Sequence, residues 1–234
     1  MIRRLAVIPA RGGSKRIPNK NIRDFFGKPI IYYILNNAKK SNLFNIIHVS
    51  TESTLISKTV ENLGFKCDFL RPEILADDYT PIMPVLKFVV EKYETMNVKF
   101  DEIWLFMPCS PLITVNQIID ASSLYRKYKG KYALTTISQY PVPIEWAFNL
   151  GKDNQLIPLQ PNMLSKRSQD LKKKYFDTGS FAIFSRSCII NSEGASPNTK
   201  FIGFELPKET SIDIDEEEDW LNAELLYKYH IMKD

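Results

Sequence analysis

Apolar and polar positions alternate in blocks through the first 137 residues, and the blocks predict strands and helices in turn. Leu5–Ile8 is a short continuous apolar run, as a strand covered on both faces requires. Pro29 opens a predicted helix whose apolar residues Ile30, Ile34, Leu35 and Ala38 recur at helical spacing. Ile46–Ser50 reads as a strand; Leu55, Ile56, Thr59, Val60 and Leu63 mark a helix that Gly64 ends. Phe65–Phe69 is expected to be a short strand. The helical period returns over Val85, Leu86, Val89, Val90 and Tyr93, and Ile103–Met107 is the next strand. Thr114 with Gln117 has the signature of a capping box ahead of Ile118, Ile119, Ala121, Leu124 and Tyr125. Ala133–Ile137 closes this half. Repeated strand–helix units predict an α/β fold with a mostly parallel sheet and helices on both faces.

The pattern then changes. From Tyr140 to about Lys174 the chain carries Pro141, Pro143, Pro158 and Pro161 with short apolar pieces such as Trp146–Leu150. This reads as an irregular excursion or small β lobe inside a single domain spanning 1–234. Strands are expected again at Phe181–Phe184 and Phe201–Leu206, and a last helix from near Glu216 to about His230. A length of 234 residues suits one large α/β domain. No apolar run approaches the ~20 residues of a membrane span, and Met1-Ile2-Arg3-Arg4-Leu5 leads straight into a strand, unlike a signal peptide. Three widely spaced cysteines, Cys67, Cys109 and Cys188, read as reduced thiols of a cytoplasmic protein.

Charge changes the picture more than composition does. The net charge is +4, but residues 1–28 hold eight Lys/Arg against one acid, Asp24, giving +7, and the remainder carries −3. A nucleic-acid-binding domain spreads positive charge along a face or helix. One concentrated patch suits a small polyanion such as a nucleoside triphosphate, the alternative being a solvated basic N-terminus. The patch centres on Pro9-Ala10-Arg11-Gly12-Gly13-Ser14-Lys15-Arg16-Ile17-Pro18-Asn19-Lys20-Asn21, directly after the first strand. Two glycines allow close backbone approach, and basic side chains beside them make a place for phosphate. Neither the P-loop spacing nor the Gly-x-Gly-x-x-Gly of a dinucleotide fold is present.

Ser211-Ile212-Asp213-Ile214-Asp215 is the second point of chemistry. Carboxylates at i and i+2 of an extended segment point to one side, where Mg²⁺ commonly takes one or two carboxylates plus substrate phosphates. The alternative is structural: Asp215 as N-cap of the last helix, with Glu218 three residues on. Arg71, in a loop with Leu75-Ala76-Asp77-Asp78-Tyr79-Thr80, could hold a base or phosphate or be merely solvated. Met107-Pro108-Cys109-Ser110-Pro111-Leu112 lies at a strand end, where open α/β sheets form ligand crevices; Cys109 has no basic partner and reads as a buried thiol. Arg167 beside Gln169 suits a carboxylated, hydroxyl-rich substrate, or forms a surface charge cluster. His48 and His230 have no partners at catalytic spacing and read as structural.

In this order and spacing the motifs resemble the cytidylyltransferases that activate nine-carbon 2-keto sugar acids from CTP, over nearly the whole chain. The resemblance rests on Ile8–Lys15 with Ile17-Pro18 and Lys20-Asn21, Arg71-Pro72 with Leu75–Asp78, Ser110-Pro111-Leu112, and Ser211–Asp215. Gly13-Ser14-Lys15-Arg16, Pro141–Ile144, and Arg167–Leu171 followed by Asp177, Gly179 and Phe181 lean to the pseudaminic acid branch. Met107 stands where sialic-acid enzymes tend to carry glutamine, and Ile113 where many relatives have arginine. The resemblance implies a Rossmann-like, mostly parallel sheet of the nucleotidyltransferase type with a small dimerisation excursion at about 140–180. It implies a homodimer acting on CTP and a nonulosonic acid, with Mg²⁺ as cofactor and no nucleic-acid or membrane partner. Its product would supply surface-glycan or flagellin glycosylation. By this resemblance Ala10, Arg11, Gly12, Gly13, Ser14, Lys15, Lys20, Asn21, Arg71 and Thr80 bind the nucleotide. Arg11, Lys20, Asp213 and Asp215 act in catalysis, the two aspartates holding the metal, while Arg167, Gln169, Asp177 and Phe181 address the sugar. N-acetylneuraminate or legionaminate specificity, an Asp-x-Asp glycosyltransferase, and a non-catalytic nucleotide-binding protein are the competing readings.

Overall fold

The computed structural model describes residues 2–194, 197 and 199–232. The first strand, β1 (Arg4–Pro9), is followed by a two-stranded ribbon, β2 (Asp24–Phe25) and β3 (Lys28–Pro29), then α1 (Ile31–Lys40), β4 (Ile46–Ser50), α2 (Thr54–Asn62) and α3 (Ile82–Thr95). The chain continues through β5 (Glu102–Phe106), α4 (Val115–Lys127) and β6 (Ala133–Gln139) into a hairpin, β7 (Phe148–Leu150) and β8 (Leu156–Pro158). It closes with β9 (Tyr175–Ser185), α5 (Arg186–Ile190), β10 (Phe201–Glu205) and α6 (Glu217–His230).

Six strands form one sheet in the order β10-β6-β9-β5-β1-β4. The β4–β1, β1–β5 and β6–β10 pairs are parallel; β9 runs antiparallel between β5 and β6. The alternation along β1 explains the layering. Ala6 and Ile8 face a core shared with α1, α2 and α4, whereas Leu5 and Val7 face one shared with α3 and α5. Two-sided burial is what makes these strands continuous apolar runs.

Two expectations about elements are corrected. Pro29 does not open α1: it ends β3, whose hairpin turns through Phe26 (φ 50°) and Gly27 (φ 78°), and the helix starts at Ile31. Positive φ at both central residues matches the right-handed twist of a two-residue hairpin. Phe65–Phe69 forms only a single bridge, His48 to Lys66. Phe65 packs into the first core and Phe69 against the second, whereas a regular strand would put i and i+4 on one face. The capping box forms as expected: the Gln117 N–H donates to Thr114 Oγ1 (3.3 Å) and the Thr114 N–H to Gln117 Oε1 (2.8 Å).

The direction of β9 positions the site. β6 runs parallel to β1, β4 and β5, so the 140–174 excursion leaves from the same sheet edge as the loops after those three strands. β9 re-enters there and bulges over Thr178–Phe181, where Gly179 takes φ +63°. A bulge beside a crevice bends the strand and re-aims its backbone.

His48 on β4 is fully buried; Tyr93 Oη donates to Asp68 and lies 3.2 Å from His48 Nδ1, so Nδ1 carries the proton of a neutral ring. Burial pulls the imidazole down to about 4, against the opposing charge of Asp68. Because the folded-state value is depressed, the stability linked to this group is complete above about pH 6.5 and falls as pH drops towards 4. Urea denaturation at several pH values should show a smaller loss over this range for His48→Asn than for the parent chain.

Candidate active site

A cavity of roughly 550 Å³ opens at the C-terminal edge of β1 and β5, the place where open parallel sheets bind ligands. Its wall carries Arg11, Ser14, Lys15, Arg16, Lys20 and Asn21 from the first loop, Arg71, Asp77, Asp78 and Thr80 from the loop before α3, and Met107–Ser110 after β5. Gly179, Asp213 and Asp215 complete it. Two stretches about 200 residues apart thus meet on one wall.

The loop is held by its own hydrogen bonds. Asn21, buried, donates from Nδ2 to the Arg11 carbonyl (2.9 Å). Arg11 Nη1 donates to the Asp77 carbonyl (2.9 Å) and to Asp78 Oδ1 (2.7 Å), and Lys15 donates to the other oxygen of Asp78. Hydrogen bonds from Lys15 and then Arg11 hold the Asp78 carboxyl below its usual range. Thr80 is fixed through its N–H to Asp77 Oδ1 (2.6 Å).

Lys20 spans the two stretches. Its ammonium donates to the Ile214 carbonyl (2.5 Å) and to Asp215 Oδ1 (3.3 Å), while Arg16 Nη2 lies 3.0 Å from Asp215 Oδ2. Ile214 is fully buried with Ile17, Phe25, Ile30 and Trp220, and this packing leaves the flanking aspartates on the cavity wall. The carboxylates are pushed apart electrostatically. Burial and the Asp215 charge raise Asp213 above its usual range. Burial also acts upwards on Asp215, but the Lys20 hydrogen bond and the Lys20 and Arg16 charges outweigh it, and the group is lowered. Asp215 is not the helix N-cap: Glu216 is, and Asp219 accepts from the N–H groups of Asp215 (2.9 Å) and Glu216 (2.8 Å). Burial pushes the Cys109 thiol up to about 12, which removes it as a nucleophile.

Other expected site residues lie elsewhere. Ala10 is buried with its N–H on the Ser50 carbonyl (2.9 Å), and neither Gly12 nor Gly13 lines the cavity; the Gly12 carbonyl accepts from the Ser14 N–H (3.0 Å). The Gly12 N–H, expected to face phosphate, donates instead to Glu52 Oε1 (2.6 Å). Phe181, expected at the sugar, is a core residue stacked on Trp104 and packed on Phe106, because the bulge turns its ring inward. Asp177 does not line the cavity and accepts from Thr135 Oγ1 (3.0 Å) and the Gly179 N–H (2.8 Å). Arg167 and Gln169 stand exposed in the excursion, where Arg167 Nε donates to Asp170 Oδ2 (2.8 Å); neither lines this cavity. Sequence reasoning assigned nothing to Glu52, placed Arg16 only in the basic loop, and gave Asp78 no partner. Glu52 follows β4 at the crevice edge, and that topological rule is the signal that could have found it.

The fold and site define a nucleotide-handling α/β protein. A cytidylyltransferase family model matches residues 5–99. Pseudaminic acid cytidylyltransferase of Campylobacter jejuni is 33% identical over 97% of both chains. CMP-N,N'-diacetyllegionaminic acid synthase of Legionella pneumophila is 33% identical over 96% of both. A solved CMP:2-keto-3-deoxy-manno-octonic acid synthetase complexed with CTP shares the fold at TM-score 0.71 and 17% identity, covering 98% of this chain and all of that one. The chain therefore belongs to the cytidylyltransferase family, in the group that includes enzymes named for CMP-linked nonulosonic acids.

Lys20→Met strips the buried Ile214 carbonyl and Asp215 of a charged donor. It should destabilise the chain by about 1–3 kcal/mol near neutral pH. The depressed Asp215 contributes its stability only while ionised, so the difference from the parent should shrink as pH falls below the carboxylate range in urea denaturation.

Proposed function

We propose that this protein transfers CMP from CTP to the anomeric 2-hydroxyl of pseudaminic acid, releasing pyrophosphate. The carrying observation is the meeting of the basic loop and the Asp213/Asp215 pair on one cavity wall, in a chain related along 97% of its length to a pseudaminic acid cytidylyltransferase. The 2-hydroxyl oxygen attacks the α-phosphorus; a P–O bond forms to the sugar, the bond to the bridging oxygen breaks, and the hydroxyl proton is released. Positioning and charge stabilisation dominate such a transfer. Arg11, Ser14, Lys15 and Lys20 hold the triphosphate and stabilise the departing pyrophosphate. Arg71 and Thr80 hold the nucleotide.

Two hard carboxylates, one raised and one lowered in pKa, fit a cation that also takes phosphate oxygens. Among the described residues no group of three metal-ligating side chains occurs, so a cation here would take its remaining ligands from substrate phosphates and water. Asp213 and Asp215 would hold Mg²⁺, which when bound supplies positive charge to the phosphates and activates the attacking hydroxyl. Asp213→Asn and Asp215→Asn should each abolish Mg²⁺-dependent pyrophosphate release from CTP and pseudaminic acid. Near-normal release by both would overturn the metal assignment.

The excursion completes the site of a second copy. It presents Val142 and, on its hairpin, Phe148, Leu150, Leu156 and Ile157 to solvent, each at least 43% exposed. An isolated two-stranded hairpin is marginal in water, so this apolar surface favours a homodimer in which Arg167 and Gln169 address the partner's sugar. Three free cysteines favour a reducing, cytoplasmic setting. Among the described residues no helix is long and apolar enough to cross a membrane. Leu150→Asp with Ile157→Asp should give a monomer by light scattering that still binds CTP but turns over sugar at least about tenfold more slowly. A dimer of undiminished activity would refute the role given to the hairpin.

A further inference from the structure

The cavity is built from two parts that must agree in position: the loop of residues 11–20 and the segment carrying Arg71. One side chain outside the cavity wall touches both. Glu52 Oε1 accepts from the Gly12 N–H at 2.6 Å, and Oε2 accepts from Arg71 Nη2 at 3.0 Å. Glu52 is itself firmly placed, between the end of β4 and the start of α2. The Thr51 carbonyl accepts from the Arg71 N–H (2.8 Å), Thr51 Oγ1 accepts from the Ser53 N–H (3.1 Å), and Ser53 caps α2 through the Ile56 N–H (3.4 Å). The carboxylate therefore projects from a fixed turn.

Close approach makes the contact specific. A Cβ on Gly12 would stand 3.1 Å from Ser53 Cβ and 3.4 Å from Glu52 Oε1, so glycine lets the loop backbone press against this turn. Arg71 is 6% exposed, and its Nε is buried with no partner among the described residues although the residue lines the cavity. An arginine holds five donors in a rigid planar fork. Glu52 fixes one arm of that fork and so fixes the direction of the rest.

We infer that Glu52 is a positioning residue for nucleotide binding: it locks the triphosphate loop, through Gly12, and the nucleotide-holding Arg71 into one register. A small misplacement of such groups costs far more than the contact itself, up to 10²-fold in rate or affinity. The inference rests on the reading of the cavity as a CTP site, and the experiment separates the two.

Calorimetric titration would compare CTP and inorganic tripolyphosphate on the parent, Glu52→Gln, Arg71→Met and Glu52→Ala/Arg71→Met. The last variant removes the stranded guanidinium that would otherwise threaten folding in a Glu52→Ala chain. Glu52→Gln keeps an acceptor for Gly12 but faces Arg71 with an amide; it should weaken CTP about tenfold and tripolyphosphate little. Arg71→Met should likewise leave tripolyphosphate binding intact. The double variant should lose affinity for both ligands, at a melting temperature close to that of Arg71→Met. A purely structural Glu52 would shift melting temperature without moving the ratio of the two affinities, and that result would overturn the proposal. So would parent-like CTP affinity in Glu52→Gln together with parent-like tripolyphosphate affinity in the double variant. A parent chain that binds tripolyphosphate but not CTP would overturn the CTP reading, while the tripolyphosphate arm would still decide whether Glu52 holds the loop.

Discussion

Everything at this site depends on one charge-assisted tie, the Lys20 ammonium on the Ile214 carbonyl 194 residues away. A hydrogen bond from a charged donor is stronger than a neutral one, and here it closes the cavity between the first and last elements of the fold. Ile214 sits in an apolar cluster with Ile17, Phe25 and Trp220. Burial fixes its backbone, the backbone fixes the flanking aspartates, and Lys20 fixes the loop to both. The basic loop and the Asp213/Asp215 pair thus share one rigid reference.

Clustering so many charges would be costly without internal partners. Asp78 holds Arg11 and Lys15, Asp215 holds Lys20 and Arg16, and Glu52 holds Arg71. The pairs on the open side are exposed and contribute little to stability. Their value lies in orientation. Arg11 is gripped at Nη1 by a carbonyl and a carboxylate, which aims its remaining donors. The Glu52–Arg71 pair is different in kind, being mostly buried, so removing one partner strands a charge in a poorly solvated place.

The sheet's one antiparallel strand connects the cavity to the exposed excursion. A chain built only of βα units would send each crossover over a sheet face. Here β6 leads into the excursion at the crevice edge and β9 returns between β5 and β6. That route sets Gly179 beside Asp213, where an added Cβ would stand 3.6 Å from Asp213 Oδ2, and exports an apolar hairpin from the same edge. Cavity and exposed hairpin are therefore neighbours by topology.

Most elements were legible in the amino-acid sequence, because two-sided burial of a parallel sheet writes itself as apolar runs and one-sided burial of helices as a 3.6-residue period. The basic loop and the Asp-Ile-Asp segment stood out by residue type, whereas residue type left Arg71 open and the resemblance supplied its place; all three line one cavity. What the sequence could not determine was partnership. Nothing local says that Gly12 gives its N–H to Glu52, that Phe181 turns into the core while Gly179 faces Asp213, or that Phe65 and Phe69 fall on opposite sides of the sheet. Those outcomes come from a bulge, a closed turn and a sheet order that bring distant residues together. A side chain's neighbours are set by tertiary packing, whereas its chemistry is set by its own atoms.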